Sequence, residues 1–181
     1  AWSLALLSWY DMRVYIEPFE SFEEIIVQAQ NSLKLANSIC NPRAAAASYV
    51  LLGAITEDQG DFQSAIRHYK MGMQLYPALD DAYFINMRLA LCYQALQQYP
   101  EAIQAFQVCL HRGQETGEHV KLAWSLFNIG DTLLMQQKPG EAWPYLEQAC
   151  ALFDEVGTTL GILCCKLSSS RAAFALGDLA G

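Results

Sequence analysis

The sequence is poor in basic residues. Eleven Lys and Arg stand against nineteen Asp and Glu, which gives a formal net charge of −8. Proteins that bind DNA, RNA or an anionic membrane surface usually present a face rich in Lys and Arg, because that face must neutralise phosphate groups. The composition therefore argues against nucleic acids and membranes as direct partners.

Long apolar runs are also missing. No stretch contains about 18 uninterrupted apolar residues, so we expect no membrane-spanning helix. The apolar start of the chain has neither a basic leader nor a cleavage pattern, so it does not resemble a signal peptide. Because the chain begins with Ala1 and Trp2 rather than Met, we expect it to be a fragment of a longer protein.

The sequence lacks a disulfide or metal pattern, although it has six cysteines. None of them forms a Cys-x-x-Cys motif, and Cys164 and Cys165 are adjacent. Disulfide frameworks belong to small secreted chains with little core, whereas 181 residues can bury a substantial one. We therefore predict reduced, mostly buried thiols and a cytoplasmic location.

Catalytic constellations are absent too. His68 is adjacent in sequence to Arg67, which favours a surface position, and His111 and His119 are eight residues apart rather than at the spacing of a helical metal pair. No phosphate-binding loop, nucleophile elbow or paired-carboxylate motif occurs. The sequence predicts no enzyme activity, no cofactor and no metal site.

A repeated pattern of small and large residues is present instead. The segment GDFQSAIRHYKMG from Gly60 aligns with QQYPEAIQAFQVC from Gln97 and, less closely, with QKPGEAWPYLEQA from Gln137. Each copy has an Ala, an aromatic residue or Leu four residues later, and a small residue three further on. In order they are Ala65, Tyr69, Gly72; Ala102, Phe106, Cys109; and Ala142, Leu146, Ala149. These spacings place all three residues on one helix face.

A second helix pattern precedes each copy. It has an inward-facing residue, which is Trp9, Tyr49, Asn86, Leu126 or Lys166, and a mostly small residue four positions later. A helix pair cannot bury its own apolar face, so such units must stack. The pattern predicts nine helices, near 2–16, 21–39, 43–59, 62–75, 80–97, 99–115, 118–136, 140–156 and 158–176.

The sequence resembles the tetratricopeptide repeat family. The best copy combines Tyr49, Leu52, Gly53, Gly60, Asp61, Phe62, Ala65, Tyr69 and Pro77. The resemblance implies an all-α, right-handed α-solenoid of antiparallel helix pairs. It also implies one domain over 1–181, with units near 6–45, 46–82, 83–122, 123–162 and a partial unit at 163–181. The period of 37 to 40 residues resembles the longer variety found in bacterial signalling and transcription-regulating proteins.

The family places a binding groove on the first helices of the pairs. The predicted groove is largely apolar, as surfaces that bind peptides are. Its residues are Tyr10, Val50, Phe84, Met87, Arg88, Leu91, Trp124, Phe127 and Asp131. Arg88 alone matches the basic positions of members that bind C-terminal carboxylates, so that activity is not predicted. The same side chains could instead be packed core, or pair two copies of the chain in a homodimer.

Two hypotheses of function follow. The first is a protein–protein interaction module, a sensory or scaffold domain of a bacterial signalling or transcription-regulating protein. It would bind a peptide, a partner protein or an output domain of the same chain in the groove. The alternative is a self-contained receptor for a peptide pheromone or small ligand, with Arg88 and Asp131 as candidate polar anchors.

Overall fold

The computed structural model describes residues 22–77 and 83–179. Within those ranges the regular elements are all α-helices, and eight of them follow one another. They are α1 (Phe22–Ser38), α2 (Pro42–Asp58), α3 (Phe62–Leu75), α4 (Tyr83–Ala95), α5 (Tyr99–Thr116), α6 (His119–Met135), α7 (Pro139–Val156) and α8 (Thr159–Leu179). Their ends agree with the predicted ones to within about three residues, close to the usual uncertainty of helix ends. The predicted helix at 2–16 lies outside the described residues.

Two compact units divide the chain, Ala1–Asp81 and Ala82–Gly181. In the first unit, α1 packs against α2 and α2 against α3. In the second unit, each helix from α4 to α7 packs against the next one, and α8 also contacts α6. The turns are short, so successive helices run antiparallel and form helix hairpins.

The turns that join these helices share one backbone geometry. Each of the six described turns contains one residue with a left-handed φ between 51° and 81°. These residues are Cys40, Gly60, Gln97, Gly117, Gln137 and Gly157. The next amide donates to the carbonyl oxygen five residues back, as from Gln98 to Tyr93 at 2.9 Å. This is the Schellman arrangement, which satisfies carbonyl groups at the end of the preceding helix.

Two of the predicted helix starts are capped by side chains. The Asn41 side chain accepts a hydrogen bond from the Ala44 amide at 3.0 Å, with proline following it in the first turn of α2. Asp61 accepts from the Ser64 amide at 3.0 Å at the start of α3. Each cap satisfies an amide that has no partner inside its helix. Ser21, at the predicted start of α1, lies outside the described residues.

The repeated small and large residues form the core, as the pattern predicts. All nine residues of the three aligned copies are buried. A Cβ at Gly53 would come within 2.7 Å of the Tyr69 ring, and a Cβ at Gly130 within 2.8 Å of Leu146. The small residue of one helix thus makes room for the large residue of its partner helix, and this allows close packing of the pair.

Two sequence predictions about individual residues are wrong. Lys166 was expected to face inward, but it is exposed on α8, because none of the described helices follows α8 to cover that side. His68 was expected at the surface, but it is half-buried, and its Nδ1 atom is buried without a hydrogen-bond partner. Burial lowers the pKa of His68, because charging the ring there would cost solvation.

Candidate functional site

The predicted site lies mostly on two neighbouring helices of the second unit, α4 and α6. Tyr83 donates its hydroxyl hydrogen to the Lys121 carbonyl oxygen at 3.0 Å, at the start of both helices. Near the other end, Gln94 Nε2 donates to Thr132 Oγ1 at 3.0 Å. Two contacts of similar sequence separation show that α4 and α6 lie side by side and run in the same direction.

The face of α4 next to α6 is apolar and accessible. Phe84 and Leu91 are each 37% exposed, and Met87 between them is half-buried. Spacings of three and four residues place the three side chains on one stripe of the helix. We call Phe84, Met87 and Leu91 the α4 stripe. It is the most accessible apolar part of the predicted groove among the described residues.

Polar groups border the α4 stripe on α6. The Lys121 ammonium lies 5.7 Å from the ring centroid of Phe84 and donates to Glu118 at 2.7 Å. Asn128 Nδ2 donates to the Trp124 carbonyl oxygen and lies 3.7 Å from the Met87 sulfur. The cation over the aromatic ring and the amide beside the thioether hold the edge of the stripe in place. Sequence analysis missed Lys121 and Asn128, because the family pattern marks only three lining positions on each helix.

The aromatic residues of α6 are anchored in the core. Trp124 packs edge-on against Phe153 of α7, with ring centroids 4.9 Å apart, and Phe127 lies 5.8 Å from Trp124. Phe153 itself is fully buried. Trp124 and Phe127 each pack against the core through Phe153 and remain half-buried rather than fully buried. Their role in binding stays a prediction.

Asp131 already has partners within the chain. Its Oδ1 atom accepts a hydrogen bond from the Ser168 hydroxyl at 2.9 Å and lies 3.4 Å from Arg171 Nη1. Its side chain is only 17% exposed. Asp131 thus joins α6 to α8 by a polar contact, and a ligand would have to displace Ser168 or Arg171 to reach that oxygen.

The remaining predicted site residues are placed differently. Val50 belongs to the first unit and is 7% exposed, where it contacts the backbone region of Gly72 on α3. Arg88 is half-buried and takes part in an interaction within the chain. Tyr10 lies outside the described residues. The structure thus places the α4 stripe on a helix next to α6, which carries Trp124, Phe127 and Asp131. Val50 belongs to the other unit.

Titratable groups near the site are protonated or paired rather than reactive. Burial raises the pKa of the Tyr83 hydroxyl and raises the pKa of the Cys109 thiol to about 12. The hydrogen bond from Lys121 lowers the pKa of Glu118. At neutral pH both buried groups therefore carry their protons, and neither can act as a nucleophile.

Within residues 22–77 and 83–179, no three His, Cys, Asp or Glu side chains lie close enough together to hold a metal ion. None of the helices in those ranges is long and apolar enough to cross a membrane.

Comparisons with known proteins agree with the fold. Residues 81–155 match the family model described as tetratricopeptide repeat. No curated protein matches the chain closely enough to count as a relative.

Three solved structures resemble the chain at low sequence identity. A putative kinesin light chain from Podosopora anserina, with nearly identical TPR-like repeats, has a TM-score of 0.71 and 18% identity over 87% of this chain and 80% of that chain. BtubC (BKLC) from P. vanneervenii has a TM-score of 0.61 and 17% identity over 88% and 75% of the two chains. The MamA protein has a TM-score of 0.51 and 17% identity over 77% and 76%. At such identities the likeness establishes the fold alone, and it confirms the predicted all-α fold of repeated helix pairs.

Proposed function

We propose that this chain is a protein–protein interaction module, because residues 81–155 match the family model described as tetratricopeptide repeat and the described residues form helix pairs. Stacked helix pairs expose one side of many helices in a row, and this gives repeat proteins extended surfaces for partners. We further propose that the chain binds a peptide or a segment of a partner protein on the α4 stripe.

The exposure of the α4 stripe is the observation that carries this proposal. Phe84 and Leu91 keep more than a third of their surface accessible, although their own helix buries Tyr83, Ile85 and Leu89 in the core. Half-buried aromatic, Met and Leu side chains with polar neighbours are the usual composition of a surface that binds a peptide. Lys121 and Asn128 supply the polar rim.

A protein segment suits this surface better than a small ligand. A small-molecule site needs a concave pocket with free polar groups that orient the ligand. Asp131 is one of the two candidate anchors, and its carboxylate already accepts a hydrogen bond from the Ser168 hydroxyl. Arg88, the other one, interacts within the chain. The apolar stripe therefore supports the interaction module over the receptor for a small ligand or pheromone.

The wider setting that we propose is a sensory or scaffold domain of a larger cytoplasmic protein in bacterial signalling or transcription regulation. The long period of the repeat supports this setting, because it resembles the longer variety of tetratricopeptide repeat found in bacterial signalling and transcription-regulating proteins. The bound partner would be another protein or an output domain of the same chain.

The test is a selection of binding peptides from a random displayed library, carried out on the full chain. Affinities of the enriched peptides are then measured by fluorescence anisotropy. We expect the double variant Phe84→Ser/Leu91→Ser to bind at least about tenfold more weakly, since each lost apolar contact contributes roughly 1 kcal/mol or more. Helicity should be unchanged, because both side chains are partly exposed.

The matched control is Val108→Ser on α5. Val108 is 43% exposed, similar to Phe84 and Leu91, but it lies on another helix. If the enriched peptides bind the wild-type chain and the Phe84→Ser/Leu91→Ser variant with equal affinity, the α4 stripe is not the binding surface. A loss of binding in the Val108→Ser variant alone would show that the peptides bind on α5 instead.

A further inference from the structure

Two cysteines lie at the same level of the hairpin formed by α7 and α8. The Cys165 thiol donates a hydrogen bond to the Leu146 carbonyl oxygen at 3.3 Å, and Leu146 lies one turn before Cys150 on α7. In turn, Cys150 Sγ lies 3.6 Å from the Ser169 hydroxyl oxygen, and Ser169 lies one turn after Cys165 on α8. These two contacts are offset by one turn in opposite directions. In antiparallel helices this places Cys150 opposite Cys165.

The packing around the two cysteines agrees with this register. Gly161, one turn before Cys165, faces Phe153 of α7, and an added Cβ would come within 2.2 Å of its ring. Phe153 in turn lies three residues after Cys150. Cys165 belongs to the buried cluster that contains Phe153, and Cys150 packs against the same cluster. Burial raises the pKa of the Cys165 thiol, and hydrogen bonding with the Cys150 thiol raises it further. The two thiols are therefore neighbours.

The two thiols differ in accessibility. Cys150 is half-buried, whereas Cys165 is fully buried. The positions forty residues earlier hold Leu110 and Ser125, which are half-buried and fully buried in the same way. Leu110 keeps its partial exposure although α7 and α8 follow that earlier helix pair. The half-burial of Cys150 is therefore a property of its place in the repeat.

This arrangement suits oxidation of the two thiols to a disulfide. A disulfide needs Cα atoms within about 4.4–6.8 Å of each other, and the absence of a side chain at Gly161 lets the two helices approach closely there. An accessible thiol reacts first with an oxidant, and a thiol beside it then resolves the product. Cys150 fits the first role and Cys165 the second.

We propose that Cys150 and Cys165 are an oxidisable thiol pair, at which hydrogen peroxide links α7 to α8 through a disulfide bond. Cys150 Sγ attacks one peroxide oxygen, so the O–O bond breaks and a sulfenic acid and one water form. Cys165 Sγ then attacks the sulfenic sulfur, the S–O bond breaks, and the hydroxide leaves as a second water with the Cys165 proton. The pair loses two electrons, and one peroxide is reduced to two waters.

The test treats the reduced full chain with hydrogen peroxide. A Cys40→Ser background is used, because the exposed Cys40 would otherwise link two chains. The remaining thiols are then blocked with iodoacetamide under denaturing conditions. Cleavage after Glu155 separates Cys150 from the two adjacent cysteines of α8, so that only a disulfide keeps the peptides together. We expect the loss of two thiols, reversed by dithiothreitol, and a bond that peptide fragmentation assigns to Cys150 and Cys165.

Two serine variants in this background identify the resolving thiol. Cys165→Ser should keep its helicity, because serine occupies the equivalent buried position at Ser125. Without the resolving thiol, Cys150 should remain a sulfenic acid, and dimedone should trap at least tenfold more of it than in the parent chain. Cys164→Ser, one position earlier, is the matched control and should form the disulfide at the rate of the parent chain.

Three results would overturn the proposal. A bond between Cys150 and Cys164 would assign the resolving role to the adjacent cysteine. A sulfenic acid at Cys150 that persists in the parent chain would show that Cys165 does not resolve it. Retention of all thiols at a peroxide concentration that oxidises free cysteine would show that the pair is inert. None of these measurements involves the α4 stripe, so this proposal and the proposed function can fail separately.

Discussion

Gly161 near the start of α8 shows how closely two helices of the second unit approach each other. A Cβ at this position would come within 2.2 Å of Phe153 Cδ1, which is far inside van der Waals contact. Phe153 is fully buried and packs against Trp124, so its ring has little room to move. The absence of a side chain at Gly161 therefore leaves room for the Phe153 ring, against which Trp124 packs.

We predict that Gly161→Ala destabilises the chain by about 1–2 kcal/mol, because overpacking exceeds the gain in helix propensity. Gly177→Ala in the same helix should be neutral or stabilising by up to about 1 kcal/mol, since nothing lies within 4 Å of its Cβ position. Urea unfolding followed by circular dichroism measures both. Equal effects of the two substitutions would contradict the close contact with Phe153.

At the scale of the helices and their turns, three of the left-handed residues are not glycine. Cys40, Gln97 and Gln137 adopt φ values of 51°, 59° and 60°. A left-handed conformation costs a residue with a Cβ roughly 1–2 kcal/mol. The hydrogen bonds of the Schellman turn hold these residues in place despite that cost.

We predict that Gln137→Gly stabilises the chain by about 1 kcal/mol, because the relief of strain exceeds the added backbone entropy of the unfolded state. Gln136→Gly, one residue earlier with a φ of −78°, should destabilise by about 0.5–1 kcal/mol. The difference between neighbouring positions isolates the backbone conformation from the loss of a Gln side chain. Changes of opposite sign in the free energy of unfolding, measured by thermal or urea unfolding, would confirm this prediction. Destabilisation by both substitutions would refute it.

Most of the fold could be predicted from the repeat, including features that single residues do not signal. The alignment placed Gln97 and Gln137 opposite Gly60, although glutamine itself does not favour a left-handed turn. It also predicted a continuous α7 through Pro144, which removes one backbone hydrogen bond but does not end the helix. In both cases the packing of the repeat outweighs the local preference of the residue.

Less of the site could be predicted. The sequence pattern marked Trp124 and Phe127 as groove residues. It could not show that both rings pack against Phe153, because the position of Phe153 depends on the space left at Gly161 in the following helix. It also could not show that Ser168 binds Asp131, since the two residues are 37 positions apart. Contacts between different helices depend on side-chain geometry that the residue pattern of a single helix does not contain.

At the largest scale, the order in which the helices of the second unit pack predicts unequal local stability within that unit. In a repeat protein each helix is stabilised mainly by its immediate neighbours. Helix α5 packs between α4 and α6, whereas α8 packs on α7 and α6 and keeps Leu160, Leu163, Leu167 and Phe174 more than 60% exposed. Helix α8 should therefore open more often than α5 under native conditions.

The six thiols can report this difference. Cys40 is exposed, Cys109 on α5 and Cys165 on α8 are both buried, and burial raises the pKa of each of the latter two. We predict that iodoacetamide labels Cys40 first, then Cys165, and Cys109 last, because a buried thiol reacts only after its helix opens and the thiol ionises. Peptide mass spectrometry over time gives the three rates.

The variant Gly161→Ala provides a control for this labelling experiment. It should accelerate labelling of Cys165 while leaving Cys109 nearly unchanged, since it loosens α8 against α7. Equal acceleration at both thiols would mean that the second unit opens as one cooperative body, and the predicted gradient of stability would then be wrong.

The shared turn geometry also has a consequence for the evolution and engineering of the chain. Gln97 and Gln137 are forty residues apart and hold the same backbone conformation at the same point of the repeat. A DNA segment that encodes residues 98–137 therefore begins and ends at equivalent joints. Its tandem duplication would add one complete helix pair without creating a new kind of turn, so the length of the protein can change by whole repeats through a single recombination event.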